Sequence, residues 1–222
     1  MTDEQIEGVV ARILQRLGPP VLVMVTAADG YRTAIRQRLA GSGYPLRLAL
    51  EEGLADATAW REVGEIIPSS TWLDVLPSAP WRAVLLPFLD YPQASDLLSG
   101  TLRNPVSRCA HEALLAGIPV LALRYHCDPH SELNQLRGAQ AGSAYAGHLQ
   151  ATLARLEACG VFLGTMNELL AKLDAPTAPA AASSEPRRYL TVTDVVNNPA
   201  LAAAPRAQLT DAAIDYLKNR KI

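Results

Sequence analysis

The stretch LLPFLDYPQASDLLSGTLRNPVSR, residues 85–108, leads from a buried strand through a polar loop into helical sequence. The run AVLLPFL, residues 83–89, is unbroken and apolar, which is typical of a strand buried on both faces of a parallel sheet. Asp90 follows this run, and a helix is predicted from about residue 93 to residue 117, with a break near residues 103–105. The stretch therefore has the form of a strand-loop-helix unit.

The same alternation of strand and helix extends in both directions. Further strands are predicted at VLVMVT (21–26), PLRLAL (45–50), IPVLALRY (118–125) and VFLG (161–164). Helical sequence lies between them, and the amphipathic SAYAGHLQATLARLEACG (143–160) is its clearest case. Alternating strands and helices favour a parallel sheet covered by helices on both faces. The predicted fold is therefore α/β, a three-layer Rossmann-like (flavodoxin-like) sheet.

The chain divides into four predicted parts. Residues 1–18 form an amphipathic helix whose apolar residues recur along one face. Residues 19–173 form the α/β domain, and residues 174–187 form a linker rich in Pro, Ala and Ser. Residues 188–222 form a C-terminal extension that is too short to build a core of its own.

The composition excludes several classes of function. The chain has 222 residues and a formal net charge of −2, so no basic surface for nucleic acid is indicated. No apolar run approaches the roughly 18 residues of a membrane span, and no signal peptide is recognised. The three cysteines, Cys109, Cys127 and Cys159, are widely spaced and odd in number. They predict a reducing, cytoplasmic setting rather than a disulfide framework.

Three loops follow predicted strands at their carboxyl ends, where open α/β sheets bind ligands. They are TAADG (26–30), EEG (51–53) and PFLDYPQAS (87–95). The first leads into a helix, whose N–H groups and dipole suit a phosphate. The alternative for this loop is an ordinary tight turn, since none of the three loops carries a Gly-x-Gly-x-x-Gly or Walker A pattern.

The chain from residue 21 to about residue 173 resembles the flavin-binding cysteine decarboxylase-like flavoproteins. This family includes phosphopantothenoylcysteine decarboxylase, the flavin prenyltransferases and dihydromethanopterin reductase-like proteins. VLVMVTAADG (21–30) matches the family's phosphate-binding turn, and residues 86–108 align without a gap with its later loop and helix. The positions that fall on this second motif are Pro87, Gly100, Asn104, Ser107 and Arg108.

The resemblance implies a bound FMN and a homo-oligomer, for which a trimer is one candidate. It also implies that the loop after residues 83–89 contacts the flavin, and that Asn104 helps to close the site at a subunit boundary. The flavin-site residues implied in this way are Thr26, Ala27, Pro87, Phe88, Leu89, Asp90, Gly100 and Asn104.

The sequence departs from the family pattern at positions that carry chemistry. Asp90-Tyr91-Pro92-Gln93 stands where the family has Thr-Asn-Thr, and Arg103 replaces an Asp. The decarboxylase histidine has no counterpart in residues 66–81, and RYHCDPHSELNQ (124–135) replaces the substrate motif Pro-x-Met-Asn. We therefore predict a flavoprotein oxidoreductase for flavin redox or electron supply. The alternatives are a non-catalytic assembly module and a flavin-dependent decarboxylase of a small metabolite.

One loop contains His126, Cys127, Asp128 and His130. The two histidines are four residues apart, a spacing that suits metal ligands on a helix. Pro129 lies between them, and neither Cys-x-x-Cys nor His-Glu-x-x-His accompanies them. No metal site is predicted, and the loop is expected to line a flavin or substrate pocket.

The two ends carry a second resemblance. DEQIEGVVARILQRL (3–17) is similar to the short amphipathic helices that direct enzymes into bacterial microcompartments. RYLTVTDVV (188–196) and RAQLTDAAIDYLKNRKI (206–222) resemble a tail of microcompartment-associated proteins. Shell or cargo proteins are then the implied partners. The alternative is that the N-terminal helix packs on its own domain or on a sister subunit.

Overall fold

The computed structural model describes residues 18–175, together with 189–190, 196, 208–209 and 216. The chain divides into two compact units, Met1–Thr177 and Ala178–Ile222. All of the elements that follow belong to the first unit, except for one pair of short strands in the second.

In the second unit, Tyr189–Leu190 pairs in parallel with Gln208–Leu209. The predicted N-terminal helix (1–18), apart from its last residue, lies outside the described residues. The same holds for the predicted linker (174–187), apart from its first two residues, and for most of the predicted extension (188–222).

Six parallel strands form the sheet of the first unit. Their bounds are β1 Val21–Val25, β2 Leu46–Leu50, β3 Glu65–Ile66, β4 Ala83–Leu86, β5 Val120–Leu123 and β6 Val161–Gly164. Every residue of β1, β4 and β5 is buried. These strands appear in the sequence as continuous apolar runs because helices cover both faces of the sheet.

The strand order is β3-β2-β1-β4-β5-β6, which is the order of the Rossmann fold. Without the two-residue β3, the other five strands have the flavodoxin-like order. The predicted three-layer α/β fold is confirmed. The winding reverses between β1 and β4, which pair from Val21 with Ala83 to Val23 with Leu85. The loops after these two strands diverge and leave a crevice at the carboxyl edge of the sheet, the usual ligand site of such folds.

Seven helices and two short 3₁₀ turns connect the strands in the described part of the chain. The helices are α1 Arg32–Ala40, α2 Ala57–Trp60, α3 Tyr91–Ser99, α4 Pro105–Leu115, α5 Glu132–Leu136, α6 Ala144–Ala158 and α7 Met166–Asp174. One apolar core forms under α1 and α7, and the other forms under α3, α4 and α6. Trp60, Trp72 and Trp81 are buried in these cores.

The helix predicted over residues 93–117 is in fact two helices, α3 and α4. Gly100 ends α3 with a φ of 70°, a left-handed conformation that glycine adopts without steric cost. Asn104 begins α4, because its Oδ1 accepts a hydrogen bond from the backbone N–H of Val106 at 2.7 Å. The predicted break near residues 103–105 is therefore real, but it begins earlier, at Gly100.

Candidate functional site at the carboxyl edge of the sheet

A cleft of about 400 Å³ lies between the loops that follow β1 and β4. Its volume is within the range of small-molecule sites. Four of the eight predicted flavin-site residues line it, namely Thr26, Ala27, Asp90 and Asn104. The other polar side chains of the lining are those of Glu51, Gln93, Asp96 and Arg103.

The other four predicted residues do not line this cleft. Pro87, Phe88 and Leu89 are buried in the strand-to-helix turn. Leu89 packs in the core under α3, α4 and α6, whereas Phe88 packs in the core under α1 and α7. Gly100 lies at the exposed end of α3. These four residues shape the backbone around the cleft.

The turn after β1 is held by side chains from several elements. Thr26 is buried, and its hydroxyl donates to the carbonyl oxygen of Phe88 at 3.4 Å, which links the ends of β1 and β4. Arg32 Nη1 donates to the carbonyl oxygens of Thr26 and Ala28 at 2.6 and 3.0 Å. The same guanidinium pairs with Asp56, with N–O distances of 2.9 and 2.7 Å. Hydrogen bonding to Arg32 lowers the pKa of Asp56, so this pair stays charged at neutral pH.

The far end of the same turn is held from the loop after β5. His126 Nε2 lies 3.0 Å from the carbonyl oxygen of Asp29 and 3.2 Å from that of Gly30, and Arg137 Nη2 donates to Asp29 at 2.6 Å. Two carbonyl oxygens can only accept, so Nε2 carries the proton and Nδ1 carries a lone pair. Burial lowers the pKa of His126, so the ring is neutral. His126 Nδ1 is buried without a hydrogen-bond partner among the described residues.

Two carboxylates face the cleft from the ends of β2 and β4. Glu51 Oε2 accepts a hydrogen bond from the backbone N–H of Ala27 at 2.7 Å. Asp90 caps α3 by accepting from the backbone N–H of Gln93 at 2.9 Å. Burial raises the pKa of Asp90 and the charge of Glu51 adds to the rise, while the bond from Gln93 and the nearby His126 oppose it. Asp90 therefore holds its proton to a higher pH than an ordinary aspartate.

A third carboxylate, Asp96, organises the loop between α3 and α4. It accepts hydrogen bonds from the hydroxyl of Thr101 and from the backbone N–H groups of Arg103 and Asn104, the latter two at 3.1 and 3.0 Å. Desolvation opposes ionisation, but these bonds and one from Ser107 outweigh it and lower the pKa of Asp96 to about 2. The loop that carries Arg103 and Asn104 is thus tied to a permanent negative charge.

Gln93 is a buried polar side chain without a partner at the cleft. It is 8% exposed, lines the cleft, and its Oε1 has no hydrogen-bond partner in the part of the chain that the structure describes. A buried amide oxygen without a hydrogen bond destabilises the fold. A ligand with a hydrogen-bond donor would satisfy it.

A second cavity, of about 300 Å³, shares Glu51 and Asn104 with the cleft. Trp72 lines this second cavity and is 2% exposed. Its indole Nε1 is also buried without a hydrogen-bond partner within the described residues. The lining of the two cavities thus includes one residue with an unsatisfied acceptor, Gln93, and one with an unsatisfied donor, Trp72.

Sequence analysis did not identify Glu51, Gln93 or Trp72 individually as site residues. The loop with Glu51 was one of the three candidate loops, and Gln93 ended the segment Asp90-Tyr91-Pro92-Gln93 that departs from the family. Trp72 packs in the core under α3, α4 and α6. The missing hydrogen bonds of Gln93 and Trp72 depend on tertiary packing, which no local pattern reports.

A larger cavity, of about 560 Å³, lies elsewhere, between α1, the loop after β5 and the start of α7. Tyr31, Arg38, Arg124, His130 and Asn167 are among its lining residues, and none of the eight predicted flavin-site residues is. His126 and His130 border different cavities. No cluster of three potential metal ligands occurs within the described residues.

Two of the three cysteines have thiols of low reactivity. Cys109 and Cys127 are buried, and desolvation raises the pKa of each thiol to about 12. A thiol with so high a pKa is a poor nucleophile at neutral pH. A redox role of Cys127 is therefore not favoured.

Comparisons with known proteins give no family assignment. No family model matches the chain, and no curated protein matches it. Among solved structures, the chain is similar to AnUbiX (PadA1), crystallised in complex with FMN and dimethylallyl pyrophosphate. The similarity has 12% sequence identity and a TM-score of 0.45, and it covers 70% of this chain and 88% of that one. At these values the similarity carries no argument about function.

Within the described residues, no helix combines the length and the apolar character that a bilayer crossing requires.

Proposed function

We propose that the chain binds FMN in the cleft between the loops after β1 and β4, and that it serves flavin redox or electron supply. The position supports this, because it is the switch point of the sheet, where folds of this class bind nucleotide ligands. The sequence resemblance supports it as well, because it implies a flavin contact for Thr26, Ala27, Asp90 and Asn104, which line the cleft.

The observation that carries the proposal is the pair of unsatisfied buried groups. Gln93 offers an acceptor and Trp72 offers a donor, in two cavities that share Glu51 and Asn104. A flavin ring presents both N–H donors and carbonyl or ring-nitrogen acceptors along its edge. It can therefore satisfy both groups, which a purely apolar ligand cannot.

The residues present fit the ring better than the phosphate. Gln93, Asn104 and Trp72 would hold the ring, with Thr26 and Asp90 in the cleft wall. Arg103 is the cationic residue among the lining residues, but its side chain is exposed and would give the phosphate little support. Bound FMN would supply one- or two-electron transfer, which no side chain of this cleft provides. Asp90 lies in the cleft wall, and burial raises the pKa of its carboxyl group.

The test is a flavin-binding titration with the full-length protein. We expect FMN to remain with the protein through desalting and to show a perturbed visible spectrum. Asn104→Ser should weaken this binding, whereas the matched change Asn167→Ser on the exposed surface of α7 should not. A colourless protein, with no change in flavin fluorescence on titration, would overturn the proposal.

A second candidate is a non-catalytic assembly or interaction module. The bond from Ala27 N–H to Glu51 favours it, because the chain itself fills a donor that a nucleotide phosphate would use. This candidate predicts that neither FMN nor riboflavin binds, and that Gln93 and Trp72 act only in packing. The titration described above therefore separates the two functions.

Assembly and location are proposed from the sequence. The chain would form a homo-oligomer with Asn104 near a subunit boundary, and its ends would bring it to a bacterial microcompartment. Light scattering on the full chain and on a chain lacking residues 1–18 tests the first point. A fluorescent reporter fused to residues 1–18 tests the second, since a diffuse reporter would contradict targeting by this helix.

A further inference from the structure

Glu51 occupies the backbone donor that an anionic ligand would use at the turn after β1. The N–H of Ala27 lies at the carboxyl end of that strand and donates to Glu51 Oε2 at 2.7 Å. This is the length of a charge-assisted hydrogen bond. Backbone N–H groups between a strand and a helix are common binding sites for phosphate. The Glu51 carboxylate thus stands in for a phosphate oxygen.

The other groups of the cleft do not attract a second anion to this position. Asp90 and Asp96 line the same cleft, and Asp96 is ionised at neutral pH. Arg103 lines the cleft as well, but it is exposed and lies in the loop that Asp96 anchors. A phosphate near Ala27 must therefore displace Glu51 and approach further carboxylates. The ring of a flavin meets no such obstacle.

Several carbonyl oxygens of this turn already have hydrogen-bond partners within the protein. Arg32 holds the carbonyl groups of Thr26 and Ala28, and His126 and Arg137 hold that of Asp29. The Ala27 N–H donates to a side-chain carboxylate. That carboxylate belongs to Glu51, which follows β2 and lies 24 residues further along the chain. The availability of this N–H to a ligand depends on Glu51 alone.

We propose that Glu51 is the specificity-determining residue of the cleft, because its carboxylate competes with the ligand's phosphate for the Ala27 N–H. The wild-type protein then gains little from the phosphate of FMN and binds riboflavin about as well. Removing the Glu51 charge makes the cleft selective for FMN. This inference rests on the proposed function, because it concerns the ligand of the same site.

The experiment compares FMN and riboflavin in the full-length wild type, Glu51→Gln and Glu62→Gln by quenching of flavin fluorescence. Glu51→Gln keeps the size of the side chain and removes its charge. Glu62→Gln removes the same charge from an exposed side chain that lines neither the cleft nor the second cavity. It therefore controls for the general effect of charge.

We expect the two wild-type affinities to agree within about threefold. In Glu51→Gln, FMN should bind at least about tenfold more tightly than riboflavin, which corresponds to about 1.4 kcal/mol. Glu62→Gln should behave as the wild type. Equal preference in the wild type and Glu51→Gln would overturn the inference, and so would an equal gain in Glu62→Gln.

Inorganic phosphate provides a readout that needs no flavin. In a ¹H–¹⁵N spectrum, phosphate should shift the Ala27 amide of Glu51→Gln in a saturable way and leave that of the wild type unchanged. Absence of the shift in both proteins would overturn the inference. If no flavin binds to any variant, the proposed function fails, and the phosphate titration still decides the role of Glu51.

Discussion

The turns after β1 and β4 leave the sheet side by side, but they differ in whether the protein supplies hydrogen-bond partners for their polar groups. In the turn after β1, the protein itself supplies a partner for the carbonyl groups of Thr26, Ala28 and Asp29 and for the N–H of Ala27. In the turn after β4, Asp90 caps α3, but the buried Gln93 at the first turn of the helix keeps an oxygen without a partner.

This difference separates a structural turn from a binding turn. Buried polar groups that have hydrogen-bond partners rigidify a loop, and those without partners destabilise it. The turn after β1 therefore forms a rigid side of the cleft. The turn after β4 carries an unmade hydrogen bond that a ligand would complete. Variants on the first turn should therefore alter stability, whereas variants on the second should alter ligand binding.

The largest effect is expected for Arg32→Met. The change leaves Asp56 as a partly buried charge without its partner, and it releases two carbonyl groups of the β1 turn. The pair is partly exposed, so the loss should be smaller than the roughly 3–5 kcal/mol of a fully buried pair, at about 2–4 kcal/mol with the lost hydrogen bonds included. Urea denaturation measures the loss. Arg36→Met, one turn further along α1, is the control and should change stability by less than about 0.5 kcal/mol. Equal losses in both variants would show that the turn is not clamped by Arg32.

A smaller loss of stability is expected for Asp96→Asn. The neutral amide weakens the hydrogen bonds that organise the loop between α3 and α4, at a cost of about 1–3 kcal/mol at pH 7. The pKa of Asp96 is about 2 in the fold, against about 3.9 in an unfolded chain. Its contribution is therefore complete above about pH 4 and is lost as the pH falls towards 2.

Chemical denaturation at several pH values checks the sign of this effect. The stability difference between the wild type and Asp96→Asn should shrink steadily between about pH 4 and pH 2. The exposed Asp74→Asn is the control and should show no such trend. A difference that is constant with pH would contradict the account of Asp96.

At Asn104, a role in capping α4 can be separated from a role in binding FMN. Asn104→Ala removes the cap of α4 and should cost about 1 kcal/mol, whereas Asn104→Ser keeps a capping oxygen and should cost only a few tenths. Both changes remove the side-chain amide from the cleft and should weaken FMN binding to a similar degree. Thermal unfolding and FMN titration of the two variants check this. Wild-type binding in Asn104→Ser would place Asn104 in a purely structural role.

The sequence was sufficient for the fold because its strands are buried on both faces. Val21–Val25 and Ala83–Leu86 are fully buried, so each is a continuous apolar run that local reading detects. The break between α3 and α4 begins at Gly100, three residues before the predicted position, and Asp96 holds the loop that follows. Asp96 binds N–H groups seven and eight residues further along the chain, and this contact exists only once the loop has folded back.

Part of the candidate site could be predicted because its residues directly follow strands. Thr26, Ala27 and Asp90 follow strands directly, and a parallel sheet brings all such positions to one edge. Phe88 and Leu89 follow a strand as well, but alternation of the chain turns their side chains into the two cores. The partners of Glu51, Gln93 and Trp72, or the lack of them, are set by packing between distant segments.

The most direct test of the central claim is a paired measurement on Gln93→Met, a change that keeps the length of the side chain and removes its amide. Without ligand, the variant should melt about 2–4 °C higher than the wild type, since an unsatisfied buried oxygen worth about 1 kcal/mol is removed. With FMN, its affinity should fall by about tenfold or more. The exposed Gln135→Met is the control and should change neither quantity. A lower melting temperature together with unchanged FMN affinity would contradict the account, because Gln93 would then belong to the structure and not to a ligand.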